Sequence, residues 1–84
     1  MLVKAVNLPV MTFTEHIALN ILTIRTEKKI SATQLAKTLG CTRQRIYQME
    51  SGVININAST IEAIAKALKV HPETLTHTGT LVGR

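Results

Sequence analysis

The sequence predicts an all-α fold of five short helices, on three observations. Hydrophobic residues make up 45% of the 84, drawn mainly from Ile, Leu, Val, Ala and Met, and Phe13 and Tyr47 are the only aromatic side chains. Such a set fills a small helical bundle better than it covers a sheet. Apolar residues recur at helical spacing in successive segments, and Ser, Thr, Gly and Pro stand where helices start and stop. The length allows one domain with one modest core. Apolar content is too high, and Gly and Pro too sparse, for a disordered chain.

The first helix is predicted over 14–28, where Ile17, Ile21 and Ile24 share a face and Thr14 is the candidate N-cap. The second covers 32–39, opened by Ser31 and closed by Gly40, with Leu35, Ala36 and Leu39 on one side. The third covers 43–51, with Thr42 as cap and Gly52 as terminator. A loop over 53–59 follows. The fourth covers 60–69, capped by Ser59 or Thr60, and Ile61, Ile64, Ala65 and Leu68 give the stripe of a half-buried helix. The fifth is short, 72–75, with Pro72 suited to a first helical turn. Residues 1–12 read as a leader, since Met11 can serve as an internal start. Residues 13–76 read as the domain, and 77–84 as a short tail with little periodicity.

Composition removes several classes. No apolar run approaches the length of a membrane span, and the opening stretch lacks the apolar core and cleavage site of a signal peptide. Cys41 is the sole cysteine, so it has no disulfide partner in the chain and no second ligand at metal spacing. That fits a reducing compartment, and the expected location is the cytoplasm. Cys41 reads as a packing residue. His16, His71 and His77 are scattered and read as surface or capping residues. Glu15, Glu27, Glu62 and Glu73 read as solvated helix charges. There is no nucleophile with a base, no carboxylate pair and no phosphate-binding glycine loop, so neither an enzyme nor a cofactor is expected, and no small-molecule ligand.

The charge is informative by its placement. The chain carries a formal +5 at pH 7, and residues 25–52 hold six cations (Arg25, Lys28, Lys29, Lys37, Arg43, Arg45) against Glu27 and Glu50. Positive charge gathered in this way attracts a polyanion, with nucleic acid the leading candidate. The second and third predicted helices are joined by Gly40-Cys41-Thr42. Ala36 is small where the two helices must approach, and Gly40 stands where a sharp turn calls for positive φ. Ile46 and Met49 point back at the second helix. The opposite face carries Arg43, Gln44, Tyr47, Gln48 and Ser51, long and hydrogen-bonding almost throughout. An ordinary helical hairpin with a polar surface is the plainer reading of the same pattern.

One stretch resembles the lambda-repressor/Cro-type helix-turn-helix proteins, also called the XRE family. It runs Ile24-Arg25, then Ile30-Ser31-Ala32-Thr33-Gln34-Leu35-Ala36-Lys37-Thr38-Leu39-Gly40-Cys41-Thr42-Arg43-Gln44-Arg45-Ile46-Tyr47-Gln48-Met49-Glu50-Ser51-Gly52, and resumes through Ala63-Ile64-Ala65-Lys66-Ala67-Leu68-Lys69-Val70. The resemblance implies a compact five-helix lambda-repressor-like domain whose third helix enters the major groove as half of a symmetric dimer. It places base-reading residues at Arg43, Gln44, Tyr47 and Gln48, and Thr42 near a phosphate or a thymine methyl. Arginine can fork onto guanine and glutamine onto adenine, which suits those positions. Tyr47 could instead stack on the edge of the core. Phosphate contacts are expected from Lys29, Lys37, Arg45 and Asn55, and from backbone N–H groups around Thr33 and Gln34 at the start of the second helix. Arg25 and Glu50 fit the family's internal ion pair between the first and third helices.

Three positions depart from the family pattern. Ala32 stands where a glutamine often braces the recognition helix. Lys29 stands where a glycine is common, and would lie near the DNA backbone. The loop after the third helix is commonly basic with a proline; here it reads Val53-Ile54-Asn55-Ile56-Asn57, leaving Asn55, Asn57 and backbone amides as donors. Val53, Ile54 and Ile56 either pack beneath the loop or form an interface. The expected function is a homodimeric transcriptional regulator, a phage-type repressor or a restriction–modification controller, on an inverted-repeat operator in double-stranded DNA. The dimer contact is expected among Val70, Leu75, Leu81 and Val82, with the 53–56 loop as second choice. The alternative is an antitoxin or adaptor whose main partner is another protein.

Overall fold

A computed structural model of the chain describes residues 11–77. Most of the expected leader and tail, with Leu81 and Val82, lies outside the described residues. Among those described there are five α-helices and no strand: α1 (Phe13–Glu27), α2 (Ala32–Leu39), α3 (Arg43–Glu50), α4 (Ala58–Leu68) and α5 (Pro72–Thr76). The class and order are those the sequence predicts.

Side-chain caps decide where the helices start. Thr12 Oγ1 accepts from the Glu15 N–H at 3.1 Å and the Glu15 carboxylate accepts from the Thr12 N–H at 2.8 Å, a reciprocal capping box. Ser31 and Gln34 repeat it at α2. Thr42 caps α3 through the Arg45 N–H, and Asn57 caps α4 through the Thr60 N–H at 2.8 Å. Two expected caps are therefore corrected. Thr12 caps α1 rather than Thr14, because Thr12 has a glutamate three residues on. Asn57 caps α4 rather than Ser59 or Thr60, so α4 begins two residues early. Thr14 instead donates to the Asn55 side-chain oxygen at 3.0 Å, and Glu15 is half of a cap rather than a solvated charge. Ser51 is the C-cap of α3, not its last turn.

Three helices end alike. The N–H of a left-handed residue bonds the carbonyl three back, and the next N–H reaches the carbonyl five back: Lys29 to Thr26 with Ile30 to Arg25, Gly40 to Lys37 with Cys41 to Ala36, and Lys69 to Lys66 with Val70 to Ala65. This is the Schellman motif, and its apolar follower (Ile30, Cys41 or Val70) packs half-buried against the core each time. Gly40 has φ 73°, and a Cβ there would meet nothing within 4 Å, so glycine serves the backbone angle rather than a close approach. Lys29 at φ 59° and Lys69 at φ 61° take the same conformation with a side chain attached.

The core draws on every helix. Ile17 and Ile21 of α1, Leu35 of α2, Ile46 and Met49 of α3, Ile64 and Leu68 of α4 and Leu75 of α5 are fully buried, each contributing about 1.5–3 kcal/mol by transfer from water. Buried Ala32, Ala36 and Ala65 let the axes approach. The α2–α3 pair packs tightly, α4 lies against α2, and α5 closes on α1 and α4. Ile54 and Ile56 pack against the core while Val53 is 80% exposed, which divides the loop that the sequence left open. Leu75, expected at a dimer contact, is wholly buried within the protomer, and Val70 is half-buried against the same core. Leu75 is committed to the protomer, because α5 folds back onto α1 instead of projecting outward, whereas Val70 keeps part of its surface exposed.

One buried polar residue was not foreseen. Asn20 interrupts the apolar interior of α1, and its amide donates to the carbonyls of Leu75 at 2.7 Å and His77 at 2.9 Å. Those are end carbonyls of α5 that no further helical turn can satisfy. Asn20→Ala should cost about 1–3 kcal/mol, the usual penalty for stranding buried polar groups. Asn20→Leu, which restores volume without a donor, should remain destabilised in urea unfolding. Recovery by leucine would mean that packing, and not the two hydrogen bonds, holds α5.

Candidate nucleic-acid interface

Helix α3 has eight residues and buries only Ile46 and Met49. Its remaining surface is polar by periodicity: positions 43, 44, 47, 48 and 51 recur at three and four residues and so share one face. Arg43, Gln44, Tyr47, Gln48 and Ser51 are all exposed there, Tyr47 at 52%. With Thr42 they line one shallow, open depression. Arg43, Gln44 and Gln48 make no side-chain hydrogen bond among the described residues. A guanidinium, two carboxamides and a phenol thus present donors and acceptors outward, the functional groups that match base edges, while the Ser51 hydroxyl donates to the Gln48 carbonyl at 2.6 Å.

The orientation of that face is set from behind. Arg25 Nε donates to Glu50 Oε2 at 2.6 Å, Nη2 donates to Oε1 at 3.0 Å, and Nη1 donates to the Ile30 carbonyl at 2.9 Å. The two side chains are only 10% and 6% exposed. The hydrogen bonds to Glu50 hold the Arg25 pKa above its ordinary value, burial opposing them. One guanidinium therefore joins the last turn of α1, the α1–α2 turn and the C-terminal end of α3. Among the described residues no buried side-chain polar atom lacks a partner.

The expected phosphate-contacting residues, Lys29, Thr33, Gln34, Lys37, Thr42, Arg45 and Asn55, are all exposed, but they do not form one cluster. Thr33 and Gln34 stand on the first turn of α2, Thr42 caps α3, and Lys37 is in the last turn of α2. Arg45 lines a crevice with Cys41, Met49, Ser59 and Thr60, on the flank of α3 facing α4 rather than among the outward polar row. Asn55 is tied to the first turn of α1 by Thr14, and its amide NH2 is left to donate. One expectation is corrected: the Gln34 backbone N–H does not face outward for a phosphate, because Ser31 Oγ takes it at 3.0 Å. The Gln34 side-chain oxygen is also occupied, by the Ser31 N–H, so only its amide NH2 is available. The Thr42 oxygen accepts from Arg45 N–H, and its hydroxyl proton is left to donate.

No group of three or more His, Cys, Asp or Glu side chains among the described residues could hold a metal. No described helix is long and apolar enough to cross a membrane.

An all-helical bundle with an α2–α3 helix-turn-helix and a polar outward α3 defines a class, and comparison with known proteins places the chain within it. A family model described as Helix-turn-helix matches residues 21–75. The chain belongs to that helix-turn-helix family, of the lambda-repressor/Cro (XRE) type. It is 35% identical over 57 residues to an uncharacterised HTH-type transcriptional regulator, y4wC, of Sinorhizobium fredii. The match takes in 68% of this chain and 40% of that protein, so the chain spans about two-fifths of the relative's length. Among solved structures, the restriction–modification controller protein C.AhdI from Aeromonas hydrophila is similar, with TM-score 0.69 and 27% identity over 74% of this chain and 94% of that one. A CoII HppE–substrate complex shares the fold with TM-score 0.73 at 24% identity, over 79% of this chain but 37% of the other.

Breaking the Arg25–Glu50 pair from one side should be costly, because the remaining charge stays buried. Glu50→Ala is expected to lose about 3–5 kcal/mol in denaturant unfolding. A double-mutant cycle with Arg25→Met checks it, and a coupling energy indistinguishable from zero would remove the pair from any account of how α3 is held.

Proposed function

We propose that the chain is a sequence-specific transcriptional regulator that binds an inverted-repeat operator as a homodimer, with α3 in the major groove of each half-site. The observation that carries this reading is the exposed row Arg43, Gln44, Tyr47 and Gln48 on a helix whose rotation is fixed by a buried ion pair. Gln44 reads a base, adenine by its chemistry, from the first turn of α3, while Lys37 and Arg45 serve the backbone. Thr42 and the side chains of Thr33, Gln34 and Asn55 add neutral donors to phosphates. Similarity to a restriction–modification controller along nearly its whole length favours a small regulator of that kind, acting in the cytoplasm. One α3 covers only half a site, so a two-fold dimer with half-sites about one helical turn apart follows from the geometry of the motif.

Selection of bound sequences from a random DNA library tests the reading, with an enriched inverted repeat as the expected result and no enrichment as the contrary one. Gln44→Ala should weaken operator binding by about 1–3 kcal/mol and relax preference at one base pair per half-site. Lys37→Ala should weaken all sequences alike and reduce the salt slope by about one unit per protomer. Equal loss on operator and random duplex for Gln44→Ala would take base reading away from that residue. Sedimentation at micromolar concentration, free and with DNA, is expected to detect two protomers on each operator; a monomer in both states contradicts the dimer.

A further inference from the structure

We propose that Lys29 is kept in a left-handed backbone conformation, against the preference of any residue with a side chain, because its ammonium group contacts the DNA backbone beside α3. This rests on the DNA-binding reading and adds to it a trade of fold stability for affinity at a single position. Of the three helices that end in the same hydrogen-bonded motif, only α2 has glycine at the left-handed residue. A Cβ at that angle crowds the following carbonyl, so glycine is the undemanding choice; Lys29 and Lys69 both carry that cost, and their surroundings tell them apart.

The surroundings of Lys29 supply the use. Its successor Ile30 gives its carbonyl to Arg25 Nη1 at 2.9 Å, and the same guanidinium grips Glu50 at the end of α3. The turn that bears Lys29 is thereby fastened to the C-terminal half of α3, next to the outward row of Tyr47, Gln48 and Ser51. Arg25 is neutralised by Glu50, so the exposed charge of this stretch comes from Lys28 and Lys29 with Glu27 beside them.

Lys69 provides an internal control. It has the same motif, nearly the same φ of 61° and the same exposure. It lies in the α4–α5 turn, where α5 packs on α1 and α4. A cation at a helix C-terminus is favourable in its own right, and that benefit applies equally to both lysines.

The test compares Lys29→Gly, Lys29→Arg and Lys69→Gly in the full chain, by thermal unfolding and by binding to a random-sequence DNA duplex across a salt series. Both glycine variants should raise Tm by the same few degrees, relief of the backbone angle outweighing loss of the helix-end cation. Lys29→Gly alone should bind the duplex several-fold more weakly and flatten the dependence of log K on log salt by about one unit per protomer. Lys29→Arg should keep both the affinity and the unrelieved Tm. Wild-type binding with an unchanged slope in Lys29→Gly overturns the proposal, as does an equal loss in Lys69→Gly, which would reflect net charge alone. A Tm that does not rise in Lys29→Gly refutes the trade. If the unaltered protein bound no duplex at any salt, the DNA-binding reading would fall first and this inference with it.

Discussion

The Arg25 guanidinium is the constraint on which the useful part of this structure depends. It satisfies Glu50 twice and the Ile30 carbonyl once, in a nearly water-free position. Helix α3 is too short to be stable alone, and Ile46 and Met49 pack it tightly against α2. A two-pronged bond to its last residue adds a second hold, from α1. Burying such a pair need not stabilise the fold beyond what apolar side chains of similar volume would achieve. Its effect is geometric: the pair ties α1, the α1–α2 turn and α3 together, and the row from Arg43 to Ser51 faces away from that tie.

The parts of the fold readable from sequence are those governed by one local rule at a time. The stripe Ile61, Ile64, Ala65, Leu68 placed α4, and Ser31, Gly40 and Thr42 bounded α2 and opened α3, because apolar period and cap chemistry agreed there. Misplaced starts came from competing caps. Thr12 and Thr14 are equally good N-cap residues, and only the glutamate three positions after Thr12 separates them. Asn57 lay inside the 53–59 stretch read as loop, along with Ile54 and Ile56, whose burial depends on tertiary contacts. Asn20 could not have been found by periodicity, since its partners are backbone carbonyls more than fifty residues away.

The candidate interface was similarly divided. Outward residues of α3 follow from helical spacing once Ile46 and Met49 are assigned inward. Availability is a different matter, because it depends on which groups the protein has already used. Gln34 illustrates this: its position on α2 was read correctly, yet its N–H and side-chain oxygen are consumed by Ser31 in the capping box. The same residue type that makes a good N3 partner is thereby partly withdrawn from the partner outside. Lys29 shows the converse. Nothing in its identity signals positive φ, and the backbone conformation emerges only from the pair of hydrogen bonds that end α1.

Helix α3 also carries its charges the wrong way round for a helix in isolation. Its first turn holds Arg43 and Arg45 and no acidic residue, and its last residue is Glu50. The helix dipole favours anions at the N-terminus and cations at the C-terminus, each worth about 0.3–1 kcal/mol when exposed, so both ends are unfavourable as they stand. The C-terminal fault is corrected inside the protein, where Arg25 neutralises Glu50. Nothing in the described residues plays that part at the N-terminal end: Arg43 and Arg45 are exposed, no carboxylate forms an ion pair with them, and the Thr42 cap supplies a neutral oxygen only. A helix whose internal fault is repaired and whose external one is left open is suited to a polyanion arriving from outside. Phosphates approaching this end would meet the cations and the exposed end of the dipole together. The local rule is kept at the end buried in the fold and broken at the end left exposed, where the DNA partner proposed above would supply the compensating charge.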